Sequence, residues 1–300
     1  MKRKSFFASL LYSPKVAPYL FVLPFVVTFL LFFLYPVVSA FIMSFQKIQP
    51  GQVEFVGLTN YKRLLNPHFY TAIWNNTRYT FWTLLILIPI PIILAVFLNS
   101  EKLIGRNFFR AALFMPILTS VVVAGIVFRL IFADPPISPA NVLLATFGLP
   151  PKRWLADVNV AMFLLVLLAT WRWTGVNIVY FLSGLQNIPK ELYEAAEIDG
   201  AGPISKFLHI TLPLLKPVII YVLTISIYGG YAMFTETYVF WGTNSPKDAG
   251  LTIVAYLYRE AFQKGDFGFG AAIGIVLAAI VLIINTIQLK YFGLFKKGEV

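Results

Sequence analysis

Hydrophobic and polar positions fall along this chain in long blocks. No Asp, Glu, Lys or Arg occurs in residues 16–46, 79–100, 111–128, 217–235 or 267–289, and residues 158–184 are interrupted only by Arg172. A helix needs about 20 apolar residues to cross the hydrocarbon core of a bilayer. The pattern therefore predicts six transmembrane helices, centred near Leu31, Ile88, Val121, Leu168, Thr224 and Ala278. The first run follows Lys2, Arg3 and Lys4, as a signal peptide would. It is too long for a cleaved apolar region and lacks a clear small-x-small cleavage site, so it reads as a retained span. Pro24 and Pro36 inside it are tolerable because neighbouring helices can satisfy the freed backbone groups. The segments at roughly 46–73, 133–157 and 240–266 are too short for separate domains. The expected organisation is an N-terminal segment 1–17, a six-helix membrane domain 18–291 and a tail 292–300, an all-α membrane protein.

Composition agrees. Only 12% of residues are charged and 59% are hydrophobic, against about 25% charged in soluble domains. The formal charge of +11 would raise nucleic acid as a partner of a soluble protein. Here the basic residues collect at span ends, where they anchor and orient helices, and no nucleic-acid partner is expected. Cysteine is absent, which excludes a disulfide framework, a thiol nucleophile and a thiolate metal site. With the N-terminus cytoplasmic, inner segments carry thirteen Lys and Arg and outer segments nine. That bias favours both termini inside, modestly.

One segment breaks the apolar pattern. Residues 188–213 hold four of the chain's thirteen carboxylates, Glu191, Glu194, Glu197 and Asp199. They read as two short helices: Pro189 opens the first, Gly200 and Gly202 supply the turn that ends it, Pro203 opens the second, and Pro213 marks entry into the next span. A short helix with Ala195 and Ala196 on it can enter a groove on another protein, with Glu194 pairing to a cation there. An ordinary solvated connection between spans explains the physics equally well.

The spacing of this segment carries a resemblance. Glu194, Ala195, Ala196, Gly200, Ile210, Leu212 and Pro213 occupy seven fixed positions over twenty residues. That arrangement resembles the signature loop of the membrane subunits of binding-protein-dependent ATP-binding-cassette importers. Phe55-Val-Gly-Leu-Thr-Asn-Tyr61, Gly105-Arg-Asn-Phe-Phe-Arg110 and Leu182-Ser-Gly-Leu-Gln-Asn-Ile-Pro189 resemble sugar permeases of the maltose-uptake type. The stretch Ser226–Trp241 is most similar to permeases for arabinose, its oligosaccharides or lactose. The large outer loop domain of the maltose permease is absent. The resemblance implies a type I importer permease fold in a bacterial plasma membrane, with both termini and a coupling loop at about 188–212 cytoplasmic. It implies a second homologous permease subunit, with a heterodimer usual for this sugar class. It also implies two ATPase subunits that bind ATP and Mg, an extracytoplasmic sugar-binding protein and a sugar substrate. No cofactor is expected on this chain itself.

Sugars bind by stacking on aromatic rings while amides and hydroxyls hold their OH groups. Tyr221, Thr224, Tyr228, Tyr231, Thr235 and Tyr238 recur at spacings of three and four, within an arc of about 100° on a helix. Helix–helix packing explains such a stripe as readily as a site does. On the fourth span, Trp173, Asn177 and Tyr180 share a face. By resemblance, the pathway role passes to Trp173, Asn177, Tyr228 and Gly229, and Tyr231 joins them as a mid-membrane member of the stripe. A charge at mid-span is costly unless paired or hydrated, so Arg172 lies beside the cavity or pairs with another subunit. Glu236 is a gate or a cap.

Gly-Lys followed by Ser or Thr, which an ATP-binding P-loop requires, is missing, since the dipeptide Gly-Lys occurs nowhere in the chain. The chain is not expected to be an enzyme, and ATP energy would enter through a partner. Ion-coupled secondary transporters use buried Asp, Glu or His, and the span centres hold none. An intramembrane enzyme fares no better, because the only histidines are His68 and His209 and no catalytic constellation can be built on them. A purely structural subunit would not need the polar stripe.

Overall fold

The computed structural model describes residues 14–242 and 244–293. Residues 1–13 of the N-terminal segment and 294–300 of the tail, both expected to be cytoplasmic, lie outside the described residues. The elements run in the order α1 (Ala17–Met43), β1 (Gln46–Gln49), β2 (Gln52–Phe55), α2 (Pro67–Asn99), α3 (Arg106–Leu118), α4 (Val121–Ile131), α5 (Val158–Gln186), α6 (Lys190–Ile198), α7 (Lys216–Tyr231), α8 (Thr235–Trp241) and α9 (Phe267–Tyr291). Short helices lie between β2 and α2, between α4 and α5, between α6 and α7 and between α8 and α9. Among the described residues, five helical stretches are long and apolar enough to cross a bilayer, and α3 with α4 supply a sixth as a pair bent by 93°. The expected straight third span is thus broken. Thr119 and Ser120 adopt extended ψ values of 132° and 136°, and Pro116 has no N–H for the ladder ahead of them. Gly175 of α5 makes room for this break, since a Cβ there would stand 2.0 Å from the Leu113 carbonyl oxygen.

The chain divides into two compact units, Met1–Leu64 with Glu260–Ile275, and Leu65–Arg259 with Val276–Val300. The first holds α1, an antiparallel hairpin in which Gln46 pairs with Phe55, and the start of α9. The hairpin falls in a segment read from sequence as loop. Its anchor is Asn60, buried, which donates to the Ser44 and Gln46 carbonyls at 3.0 and 2.8 Å. Tyr61 shares a 2.7 Å hydroxyl bond with Ser44. Arg63 meets Asp266 at 2.8 Å and lies over the Phe269 ring. Gly268 is required where α9 starts, because a Cβ would come within 1.8 Å of the Gln46 oxygen. No residue of α1 is buried, as suits an all-apolar helix facing lipid or another subunit.

The second unit is built around α5. One cluster joins Tyr79 of α2 with Leu164, Leu165 and Leu168 of α5, Met233 and Phe240. A second joins Ile92 of α2 with Ile178, Phe181 and Leu185 of α5, and with Leu215 and Val222 at and in α7. In lipid such contacts stabilise by close packing rather than by expelling water.

Candidate functional site

The coupling segment begins at α6. Its end is fixed by Gly200, whose φ of +78° places it in the left-handed region. Ala201 N–H donates to the Ala196 carbonyl at 2.8 Å and Gly200 N–H to Glu197 at 3.1 Å, the paired bonds of a Schellman turn. Gly202, expected to share the turn, does not: its φ is −71° and it precedes the next helix as N-cap. Pro203 opens that helix as expected. The helix does not stop at Pro213. It continues through a π-turn, Phe207–Thr211, into Leu212–Leu214 and then α7. Pro213 lacks the N–H that the His209 carbonyl would receive, and the widened turn accommodates this.

Two contacts tie α6 to this second helix. The Tyr193 and Thr211 hydroxyls lie 2.9 Å apart. Lys206 Nζ donates to Glu197 Oε1 at 2.5 Å, and it holds the Glu197 carboxyl below the usual range. Ile210 and Leu212 pack against the lower cluster of the second unit. Glu194 and Ala195 are exposed, and Ala196 is half-buried. Glu194 makes no hydrogen bond or ion pair among the described residues. Ile198 and Ile204 stand out at 88% and 76% exposure. The segment therefore presents an exposed carboxylate, which interacts with Lys190 only through space, and bare apolar residues on a helix pair tied by two contacts.

The pathway candidates divide. Trp173, Tyr228 and Gly229 are exposed, and a Cβ on Gly229 would meet nothing within 4 Å. Asn177 and Tyr231 are buried. Asn177 Nδ2 donates to the Leu87 carbonyl at 2.9 Å. That carbonyl is free because residue 91, its partner in an unbroken helix, is a proline without an N–H. Tyr231 shares a 2.8 Å hydroxyl bond with Thr77 of α2. The six-residue stripe is not one face. Thr224 bonds to Gln288 of α9, and the fifth span breaks between Tyr231 and Thr235. At the break, Asn76 Nδ2 donates to the Gly230 and Tyr231 carbonyls at 2.8 and 3.3 Å, and its Oδ1 accepts from Ile253 N–H at 2.9 Å. Those two carbonyls would otherwise accept from Phe234 and Thr235. Sequence reasoning missed Asn76; the adjacent amides Asn75 and Asn76 just ahead of an apolar run were the available signal.

Arg172 and Glu236 find each other. Arg172 Nη1 lies 3.7 Å from Glu236 Oε1, with the side chains 10% and 18% exposed. Nη2 reaches the Thr119 carbonyl at 3.5 Å, at the break of the third span. Glu236 sits in the first turn of α8, where the helix dipole favours a carboxylate. One ion pair thus connects the fourth span to the broken points of the third and fifth. Sequence reasoning left both residues open and did not pair them. No group of three or more His, Cys, Asp or Glu suited to a metal occurs among the described residues.

The chain is 59% identical over 297 residues to the arabinooligosaccharides transport system permease protein AraP of Bacillus subtilis (strain 168), covering 99% of this chain and 95% of that one. It is 33% identical over 274 residues to the lactose transport system permease protein LacF of Rhizobium radiobacter, covering 90% and 92%. Its fold superposes with a TM-score of 0.83 on a chain of a bacterial ABC transporter that imports the acidic polysaccharide alginate, at 24% identity and covering 94% and 96%. Residues 87–291 match the family described as the binding-protein-dependent transport system inner membrane component, and the chain belongs to that family, as a multi-pass, non-catalytic permease subunit.

Proposed function

We propose that this chain forms half of the translocation pathway of an ATP-driven importer of oligosaccharides, arabinose-containing ones first among them. A separate ATPase, binding ATP and Mg, docks on α6 around Glu194. The observation that carries the reading is the projecting coupling segment. Among the described residues its Glu194 makes no hydrogen bond or ion pair and its apolar residues are bare, and its second helix continues into the fifth span. A push on α6 passes through the Tyr193–Thr211 and Lys206–Glu197 contacts into that helix, and along it toward the break at Ala232–Phe234. Access then switches by rocking of packed helices about broken points. The substrate class rests on the identity to the arabino-oligosaccharide permease and on exposed aromatics suited to sugar rings, Trp173 and Tyr228, with Gly229 leaving open space beside Tyr228. Asn177 and Tyr231 hold the frame of that surface. Six spans supply half a pathway, and the exposed apolar surface of α1 fits a homologous second permease. An extracytoplasmic sugar-binding protein delivers substrate to the opposite face, with both termini cytoplasmic.

The test is purification of the tagged chain in mild detergent with identification of what accompanies it. An ATPase, a second permease and a binding protein that retains arabino-oligosaccharides are expected. A chain that purifies alone and takes up sugar under a proton or sodium gradient would replace this reading with an ion-coupled secondary transporter.

A further inference from the structure

A cavity of about 320 Å³ lies where α2 and α5 end and α3 and α6 begin, lined among others by Arg106, Arg110 and Lys190 with one carboxylate, Glu101. Three cations against one carboxylate leave an excess of positive charge. Lys190 and Arg106 together hold the Glu101 carboxyl below its usual range, and Lys190 meets it at 3.0 Å. Arg106 acts on Glu101 only through space, and Arg110 has no carboxylate bonded to it among the described residues. Arg106 makes no hydrogen bond or ion pair among the described residues. Arg110 donates through Nη2 to the Leu98 carbonyl at 2.6 Å, while its buried Nε has no partner. Arg106 and Lys190 are the first residues of α3 and α6, and neither helix start carries a side-chain cap. The positive end of the α3 dipole therefore adds to this region, while Glu191 in the first turn of α6 offsets that of the second helix.

We infer that this cavity binds the phosphate headgroup of an anionic phospholipid, such as phosphatidylglycerol, from the leaflet on the coupling-helix side. Basic pockets between span ends on a cytoplasmic face suit such headgroups. Its place at the ends of two spans suits a lipid better than a soluble phosphate. Asn99 and Gln186, the last residues of two spans, line the cavity. Beside it, Ile104 and Phe108 are 93% and 71% exposed, as residues in contact with acyl chains would be. Lys190 also opens α6, so a bound headgroup would steady the base of the coupling segment and make it responsive to lipid composition. The inference rests on the proposed topology, in which this face is cytoplasmic.

The experiment uses the transporter purified through the tagged chain and measures, by native mass spectrometry, its preference for added phosphatidylglycerol over phosphatidylcholine. Arg106→Gln with Arg110→Gln is expected to lower that preference about thirtyfold, at roughly fivefold per cation. Lys102→Gln, which removes a neighbouring cation outside the cavity, should leave it unchanged. Arg106→Lys should retain most of it. Equal preference in wild type and the double variant overturns the site, as does an equal loss on Lys102→Gln. Displacement of the lipid by millimolar inorganic phosphate would assign the cavity to a soluble anion. Loss of the ATPase from the double variant with lipid preference intact would assign it to a partner carboxylate. The same purification reports the partner subunits. Partners present without lipid preference refute the site alone, and lipid preference without partners refutes the importer reading alone.

Discussion

Replacing Arg172 by Leu leaves the Glu236 carboxylate nearly buried and without its counter-charge. At the 3.7 Å separation of the pair, an effective dielectric constant near 20 gives an attraction of about 4 kcal/mol. Removing one partner of a buried pair costs a similar amount, about 3–5 kcal/mol, chiefly because the other charge is stranded. Replacing both by apolar residues is often close to neutral. Arg172→Leu and Glu236→Leu should therefore each lower the thermal midpoint of the purified complex by several degrees. The Arg172→Leu/Glu236→Leu protein should recover most of the loss. In a double-mutant cycle the interaction term should reach about 2–4 kcal/mol. Uptake should not recover with stability, because the pair also joins the breaks of two spans: Arg172 reaches the Thr119 carbonyl and Glu236 lies in the first turn of α8. Additive losses in the cycle would refute the pairing. Full recovery of uptake in the double variant would refute the link to the helix breaks.

Other outcomes follow from the same contacts. Glu194→Lys should abolish ATP-driven uptake and weaken co-purification of the ATPase while leaving the fold intact, as read by size-exclusion profile. Gly200→Val should destabilise the coupling segment by about 1–2 kcal/mol, because a β-branched residue is strained at a φ of +78°, seen as faster proteolysis of residues 188–203. Asn177→Ala should lower thermal stability by about 1–3 kcal/mol through the unsatisfied Leu87 carbonyl without altering which sugars are taken up. Tyr228→Ala or Trp173→Ala should alter uptake rate or sugar preference at unchanged stability, measured with a panel of labelled oligosaccharides.

The spans were legible because lipid demands long apolar runs and the chain supplies them in blocks, only the fourth of which is interrupted by a charge, Arg172. The signature segment was legible too, since its glycine and prolines act locally: Gly200 takes the left-handed turn and Pro203 opens a helix. Less legible was anything that depends on which helix lies beside which. Asn177 and Tyr231 carry the side chains a sugar site would need, but their partners are the Leu87 carbonyl and the Thr77 hydroxyl on another span. Periodicity on one helix cannot distinguish a cavity from a neighbour. It also assumes an unbroken helix, and Asn76 ends that assumption at Gly230 and Tyr231. The pairing of Arg172 with Glu236 joins residues 64 positions apart and belongs to tertiary structure, although two opposite charges in otherwise charge-free spans were the clue. The β1–β2 hairpin was hidden for a further reason. Its exposed strand alternation carries little hydrophobic signal, and its anchor, Asn60, acts through backbone carbonyls.

Uptake of labelled arabino-oligosaccharide into proteoliposomes, containing the transporter purified through this chain, is the decisive measurement for an ATP-driven importer coupled through α6. Uptake that requires ATP on the coupling-helix side and the binding protein on the other, and that disappears with Glu194→Lys, is the predicted result. Uptake that proceeds without ATP under an ion gradient, or that persists with ATP in the Glu194→Lys protein, would contradict it.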